Sequence, residues 1–237
     1  MLLKTPGSLV TRSFVVSQFF RIFWGAFGEK LGCQSQNSWE FRFETGSPPL
    51  PLDFVNELVA KRLDFLQQAV PSFALVGLLV NPNNPNAEPD AEEARIAVKA
   101  LGLKLLVVKA TGDRELEAAF ETLAQGRADA LAVNIDPFLF RAHDQIISLA
   151  ARYGFPAIYP LRAFVDAGGL MSYSPNRLVS WHQAGLYAAR ILHGEKPADL
   201  PVQRANKVEL VINLKTSKAL GLNISASILF LADEVIE

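Results

Sequence analysis

The sequence predicts an α/β protein with a largely parallel sheet between two layers of helices. Four apolar runs of strand length indicate this fold: Leu75–Val80, Leu103–Val108, Ala128–Val133 and Phe155–Ile158. Segments with apolar residues at helical spacing follow three of them. Near-continuous apolar strands are typical of a parallel sheet that is buried on both faces. Polar loops follow the strands, and such sheets bind small molecules beyond the carboxyl ends of their strands.

Helical spacing identifies the first two helices. Apolar residues recur at about this spacing from Phe54 to Val70, where Asp53 is suited to the N-cap and Pro71 to the end. The second helix is predicted over Glu88–Leu101, with Gly102 as its C-cap. Its first turns are rich in acids, which we expect to be solvated: Glu88, Asp90, Glu92 and Glu93.

Two further helices fill the next connections of the sheet. One opens at Thr111-Gly-Asp113 and places Leu116, Phe120 and Leu123 on one face. The other begins after Asp136-Pro137, a pair that supplies an N-cap and a proline at the first helical position. This second helix is predicted to reach about Tyr153.

The alternation becomes less regular after the fourth strand. A short helix at Arg162–Ala167 ends at Gly168-Gly169, and a strand follows at Leu170–Tyr173. The remaining predictions are a helix from Asn176 to His193, a strand at Val208–Ile212 and a helix at Lys215–Leu220 with Asn213 as its cap.

Composition excludes several functional classes. The net charge of −1 gives no electrostatic reason to bind a polyanion, so we expect no nucleic-acid partner. The single cysteine, Cys33, permits neither an internal disulfide nor a cysteine zinc cluster. The sequence has no G-x-S-x-G elbow, phosphate loop or G-x-G-x-x-G after a strand. We therefore predict neither an enzyme nor a cofactor or metal site.

The first fifty residues differ in composition from the rest. They hold nine of the 23 aromatic residues of the chain and show no clean helical or strand period. The apolar stretch from Phe14 to Phe27 resembles the centre of a signal peptide, but Arg21 interrupts it. We interpret residues 1–50 as an atypical aromatic-rich arm.

Polar and aromatic side chains at the strand ends are the candidate ligand-binding residues. They are Asn81, Asn83, Asp136, Phe138, Tyr159 and Tyr173, with Phe138 as an apolar wall. Asn81, Asn83 and the adjacent Asn84 are equally suited to building a turn. Asp136 is equally suited to capping a helix, and each tyrosine to burial with a satisfied hydroxyl.

Eight segments within about Glu57–Glu237 carry a resemblance to a known family: Gly126–Ala130, Asp136–Phe138, Pro156–Tyr159, Ala167–Tyr173, Arg190–Val202, Glu209–Thr216, Lys218–Leu222 and Ala232–Ile236. In the same order, they resemble the tryptophan/tyrosine-type substrate-binding proteins of bacterial ABC transporters. This resemblance implies a type I periplasmic binding fold, in which two lobes close on a small solute and deliver it to a membrane permease.

The resemblance also implies a division of the chain. Residues 51–162 and 200–237 would form the ligand-binding lobe, and residues 163–199 a crossover strand and helix that belong to the first lobe. Family members are longer, and most of their first lobe has no counterpart here. We therefore expect a truncated protein whose segment Leu170–His193 lacks part of the sheet on which it would pack.

The partners implied by the resemblance are a small organic solute, such as an aromatic amino acid, and an ABC permease. A homodimer would complete the missing lobe. The expected location is the periplasm, although the export signal is doubtful. A ligand-sensing regulatory domain of periplasmic-binding-protein type and a non-functional remnant are the alternatives.

Overall fold

The computed structural model describes residues 53–70, 73–196, 199–200 and 208–237. The described strands are β1 (Leu75–Val80), β2 (Lys104–Lys109), β3 (Ala130–Val133), β4 (Ala157–Tyr159), β5 (Met171–Pro175), β6 (Val208–Asn213) and β7 (Glu234–Ile236). The described helices are α1 (Asp53–Ala69), α2 (Ala87–Ala100), α3 (Asp113–Gln125), α4 (Pro137–Arg141), α5 (His143–Tyr153), α6 (Arg162–Asp166), α7 (Arg177–Leu192), α8 (Leu214–Ala219) and α9 (Ala226–Leu231). The predictions for the aromatic arm lie outside the described residues.

These strands form one sheet in the order β2-β1-β3-β4-β5-β6-β7. Neighbouring strands are parallel except for β5 and β6, which pair antiparallel from Met171↔Ile212 to Pro175↔Val208. The carboxyl ends of β1 to β5 therefore meet at one edge of the sheet. The predicted α/β class with a largely parallel sheet is confirmed.

Each face of the sheet is covered by its own group of helices. On one face, α1, α2 and α9 contribute buried residues such as Leu63, Ala94 and Ile228. On the other, α3, α5 and α6 contribute residues such as Phe120, Ile146 and Phe164. A Cβ on Gly77 would lie 2.2 Å from Leu123 Cδ2, so this glycine lets α3 approach β1 closely. The result is a three-layer arrangement.

Residues 170–193 were expected to lack part of the sheet on which they would pack. The strand β5 pairs with β4 on one side and with β6 on the other, so it is an interior strand of the sheet. The helix α7 is different, because its apolar residues Leu178 and Leu192 are 72% and 60% exposed. Only the helical part of this segment therefore leaves its apolar side chains in solvent.

Three details of the fold were not predicted. The helix expected from Pro137 to Tyr153 is divided at Ala142 into α4 and α5. The short helix α9 and the three-residue strand β7 were both missed. Within the described part of the chain, no helix is both long enough and apolar enough to span a membrane.

Candidate functional site

Three polar side chains join two loops at the carboxyl edge of the sheet, and we call Asn81, Asn84 and Asp136 the Asn–Asp cluster. Asn81 Nδ2 donates to Asp136 Oδ1 over 3.2 Å. Asn84 Nδ2 donates to Asp136 Oδ2 over 3.0 Å and to the carbonyl oxygen of Ile135 over 3.2 Å. The loop after β1 is thus fixed against the loop after β3, its neighbour in the sheet.

Asp136 also caps the helix α4. Its Oδ1 accepts hydrogen bonds from the backbone N–H groups of Phe138 and Leu139, at 2.7 and 3.0 Å. Its side chain therefore satisfies two of the N–H groups that have no partner at the start of a helix. The predicted N-cap is confirmed, and the same carboxylate carries the bonds to both asparagines.

The loop after β1 is built by its own asparagines. Asn81 Oδ1 accepts from the N–H of Asn83, and Asn84 Oδ1 accepts from the N–H of Asn86, both at 3.0 Å. These local bonds build the turn, which is the alternative to ligand binding that the sequence analysis gave for these asparagines. Asn83 is exposed, and its role as a ligand-binding residue stays a prediction.

The Asn–Asp cluster retains some hydrogen-bonding capacity. Asp136 Oδ2 accepts one hydrogen bond from the described residues, and a carboxylate oxygen has room for more than one donor. Three apolar residues of the segment that carries Asp136 are at least partly exposed: Ile135 and Phe140 are 37% and 36% exposed, and Phe138 is half-buried. A few oriented polar atoms beside apolar surface are typical of small-molecule sites.

Tyr159 ends β4 at this edge, but its side chain lies in the core. It is 1% exposed, and its ring stacks on Phe164 with 4.8 Å between ring centroids. Burial raises the pKa of its hydroxyl well above the ordinary value. Its neighbour Ile158 faces the opposite helix layer, because side chains alternate along a strand that is covered on both faces. The buried ring does not support a contact between Tyr159 and a ligand, and that role stays a prediction.

Tyr173 packs against the helix α1. Its ring meets Phe65 edge-on, with 4.9 Å between centroids, and its carbonyl oxygen accepts from Arg62 Nε over 2.9 Å. Among the described residues, no hydrogen bond joins Tyr173 to the Asn–Asp cluster. Its contact with a ligand stays a prediction.

A group of buried charges beside the site was missed at the sequence level. Arg62 of α1 is 5% exposed, and Asp90 of α2 is 2% exposed. Burial lowers the pKa of Arg62 to about 10, while Asp90 and Glu93 oppose this shift. Burial raises the pKa of Asp90, although Asn134 and Arg62 favour its ionised form. The expectation that Asp90 is solvated is wrong, because the first turn of α2 packs against the sheet.

Asn134 places these charges next to the Asn–Asp cluster. It follows β3 directly, is 3% exposed, and its Oδ1 accepts from the N–H of Ile135 over 2.8 Å. Its amide lies near enough to Asp90 to stabilise the carboxylate. Among the described residues, neither Asn134 Nδ2 nor Asp90 Oδ2 makes a hydrogen bond of normal distance and angle. No three potential metal ligands come together in the described ranges.

A protein-family model described as "ABC transporter substrate binding protein" matches residues 55–236 of the chain. The chain is also 22% identical over 164 residues to a tyrosine-binding protein of Clostridioides difficile (strain R20291). That match covers 69% of this chain and 47% of the relative. The chain thus matches about half the length of this curated relative.

Two solved structures share the fold at 25% sequence identity. One is a conserved domain protein of Vibrio cholerae, with a TM-score of 0.68 over 75% of this chain and 60% of that one. The other is a Streptococcus pneumonia "ABC domain" in complex with L-Trp, with a TM-score of 0.66 over 77% of this chain and 62% of that one. In both comparisons, the match covers less than two thirds of the solved chain.

Proposed function

Because the chain belongs to the family of ABC transporter substrate-binding proteins, we propose that it is the solute-binding component of an ABC importer. The proposed solute is an amino acid, and an aromatic amino acid is favoured. Two relatives support this choice of solute, since one is a tyrosine-binding protein and the other was solved with L-Trp. The partner that receives the solute would be an ABC permease, and the protein would work outside the cytoplasmic membrane.

The observation that carries this proposal is the Asn–Asp cluster at the carboxyl edge of the sheet. Asp136 is 6% exposed and is held in place by donors from Asn81, Asn84 and the start of α4. A carboxylate fixed in this way loses little conformational freedom when a cation binds. We assign it the ammonium group of the amino acid, which would donate to Asp136 Oδ2.

The apolar side chains beside the cluster would contact the rest of the solute. Phe138 lies two residues after Asp136, and the Arg141 guanidinium lies over its ring at 5.7 Å from the centroid. Ile135 and Phe140 add exposed apolar surface on the same segment. An aromatic side chain of the solute offers matching apolar area and a ring for offset or edge-on packing.

Isothermal titration calorimetry tests the proposal directly. The purified chain is titrated with L-tryptophan and L-tyrosine, and with L-leucine and L-glutamate as matched amino acids without the aromatic ring. We expect heat of binding with an aromatic amino acid, and its loss in the D136N variant. Absence of binding for all four, or unchanged binding by D136N, would contradict the proposal.

A further inference from the structure

The helix α7 is at least partly exposed on every side that the structure describes. None of its described side chains is buried, and the large apolar residue Trp181 is 59% exposed. A helix of 16 residues is marginal in water on its own, and most helices in proteins are stabilised by packing of an apolar face. We propose that α7 packs against α7 of a second copy of this chain, in an antiparallel pair with two-fold symmetry. This dimer does not rest on the proposed function.

Five residues of α7 have the spacing of a helix–helix seam. Leu178, Trp181, Gly185, Ala188 and Leu192 follow one another at intervals of three, four, three and four positions. This alternation places side chains on one narrow stripe of a helix, along which a second helix can pack. We call these five residues the α7 seam.

The α7 seam carries no charge that burial would penalise. Arg190, the charged residue of α7 whose side chain is described, lies about 140° around the helix from Gly185. Its guanidinium pairs with Glu195 of the same chain at 2.6 Å. A second copy can therefore cover the seam without removing this charge from water.

The order of large and small residues along the α7 seam favours the antiparallel pair. With the two-fold axis at Gly185, Leu178 meets Leu192 of the second copy, and Trp181 meets Ala188 of the second copy. A Cβ on Gly185 would meet no atom within 4 Å, so the two backbones can approach closely at the axis. A parallel pair would instead place indole against indole and Ala188 against Ala188, which packs the seam less evenly.

The start of α7 is anchored to the sheet. Asn176 Oδ1 accepts from the N–H of Val179 over 3.0 Å, and Asn176 Nδ2 donates to Glu209 Oε1 of β6 over 2.6 Å. These bonds fix the first turn of the helix before any partner is present. An element that is already held in place loses less conformational freedom when it binds.

The size of the α7 contact predicts a weak dimer. The helix is about 24 Å long, and packed helices lie about 8–10 Å apart, so each copy covers roughly 240 Å² of the other in projection. A standard interface buries about 800 Å² per partner. We therefore expect a transient dimer that forms at protein concentrations between about 10 µM and 1 mM.

Sedimentation equilibrium of the full chain up to about 1 mM tests the dimer. The variants L178E and L192K each place a charge in the seam. An acid near the start of a helix and a base near its end are both compatible with the helix dipole, so neither should unfold α7. We expect each to weaken self-association about tenfold or more. The control V179E changes an exposed residue of α7 outside the seam and should stay within about twofold of the wild type.

The double variant L178E/L192K tests the direction of the pair. In the antiparallel dimer, the two introduced charges have opposite signs and meet at both ends of the seam, so we expect most of the lost affinity to return. In a parallel dimer, like charges would meet, and the affinity would stay low. Failure of the double variant to recover, or a dimer that tolerates L178E and L192K, overturns the proposal. So does a chain that stays monomeric up to about 1 mM, which would assign the α7 seam to a different partner.

Discussion

Asn81 Nδ2 lies 3.2 Å from Asp136 Oδ1, and this hydrogen bond ties the loop after β1 to the loop after β3. The two strands are neighbours in the sheet but are separated by two helices and a strand along the chain. The Asp136 carboxylate therefore holds two loops together and is also the proposed binding partner of the solute. These two roles are separable by substitution.

Substitution of Asp136 distinguishes its cap from its charge. D136A removes the acceptor for the N–H groups of Phe138 and Leu139, so we expect the free energy of unfolding to fall by about 2 kcal/mol. D136N retains an oxygen for the cap but turns its amide donor toward Asn84 Nδ2. The free energy of unfolding should fall less in D136N, by about 1 kcal/mol, although this substitution removes the negative charge.

Urea denaturation of the two Asp136 variants gives the free energies, and calorimetry gives the affinities. We expect D136N to be the more stable variant and yet to bind no aromatic amino acid. Equal stability of the two variants would show that the cap contributes nothing. Binding retained by D136N would show that the charge is not needed.

Asn84 and Asn83 form a matched pair of adjacent residues of the same type. N84A removes the donor to Ile135 and Asp136 and the acceptor for Asn86, so we expect a loss of about 1–3 kcal/mol in unfolding free energy. N83A removes an exposed side chain and should stay within about 0.5 kcal/mol of the wild type. Denaturant midpoints of the two variants provide the measurement. A more damaging N83A would contradict the assigned contacts.

Gly169 leaves space for the buried ring of Tyr159. A Cβ at this position would lie 2.6 Å from Tyr159 Cε2 and 2.8 Å from the carbonyl oxygen of Phe164. We expect G169A to lower the free energy of unfolding by about 1–3 kcal/mol, because the core must shift to admit the methyl group.

Gly185 in α7 is the control for this substitution, since a Cβ there meets no atom within 4 Å. G185A should be neutral or stabilise the helix by up to about 1 kcal/mol. Thermal unfolding of both variants is the measurement. A neutral G169A would mean that Tyr159 is not packed as described.

Glu234 stabilises the edge strand β7 in a pH-dependent way. The Arg162 guanidinium contacts both of its carboxylate oxygens, at 2.6 and 2.7 Å, and holds its pKa below the ordinary value of 4.5. The folded state thus favours the ionised form, so the stabilisation is present above pH 4.5 and is lost as the pH falls through the lowered pKa.

The E234Q variant is the test of this pH dependence. Its melting temperature should lie below that of the wild type at about pH 7, and the two should converge as the pH falls through the lowered pKa of Glu234. E117Q, which removes one member of an exposed ion pair, is the control and should differ little from the wild type over the same pH range. A difference for E234Q that is constant with pH would contradict the role of the Glu234 charge.

Apolar periodicity predicted most of the sheet. The bounds of β1 agree with the prediction, and β2 begins one residue later than expected. The strand β7 was missed because its three residues have no period of their own, and its place depends on parallel pairing with β6. The break at Ala142 was missed because neither glycine nor proline marks it.

The candidate site was predicted less completely than the fold. Residues that follow a strand, such as Asn81 and Asp136, were found because parallel strands bring their carboxyl ends together. Tyr159 is still part of its strand, so alternation carries its ring into the core. Asp90 and Arg62 carry no sequence signal, since their burial follows from how α1 and α2 pack and not from local pattern.

The most direct test of the central claim is an NMR titration that follows the side-chain amides of Asn81 and Asn84 and the backbone amide of Phe138. With L-tryptophan added up to about 10 mM, a range that detects even millimolar dissociation constants, or with L-tyrosine up to its solubility limit, we expect saturable shifts of these three signals. D136N should abolish the shifts. Shifts confined to residues elsewhere, or no shifts over the whole range, would contradict a solute site at this edge of the sheet.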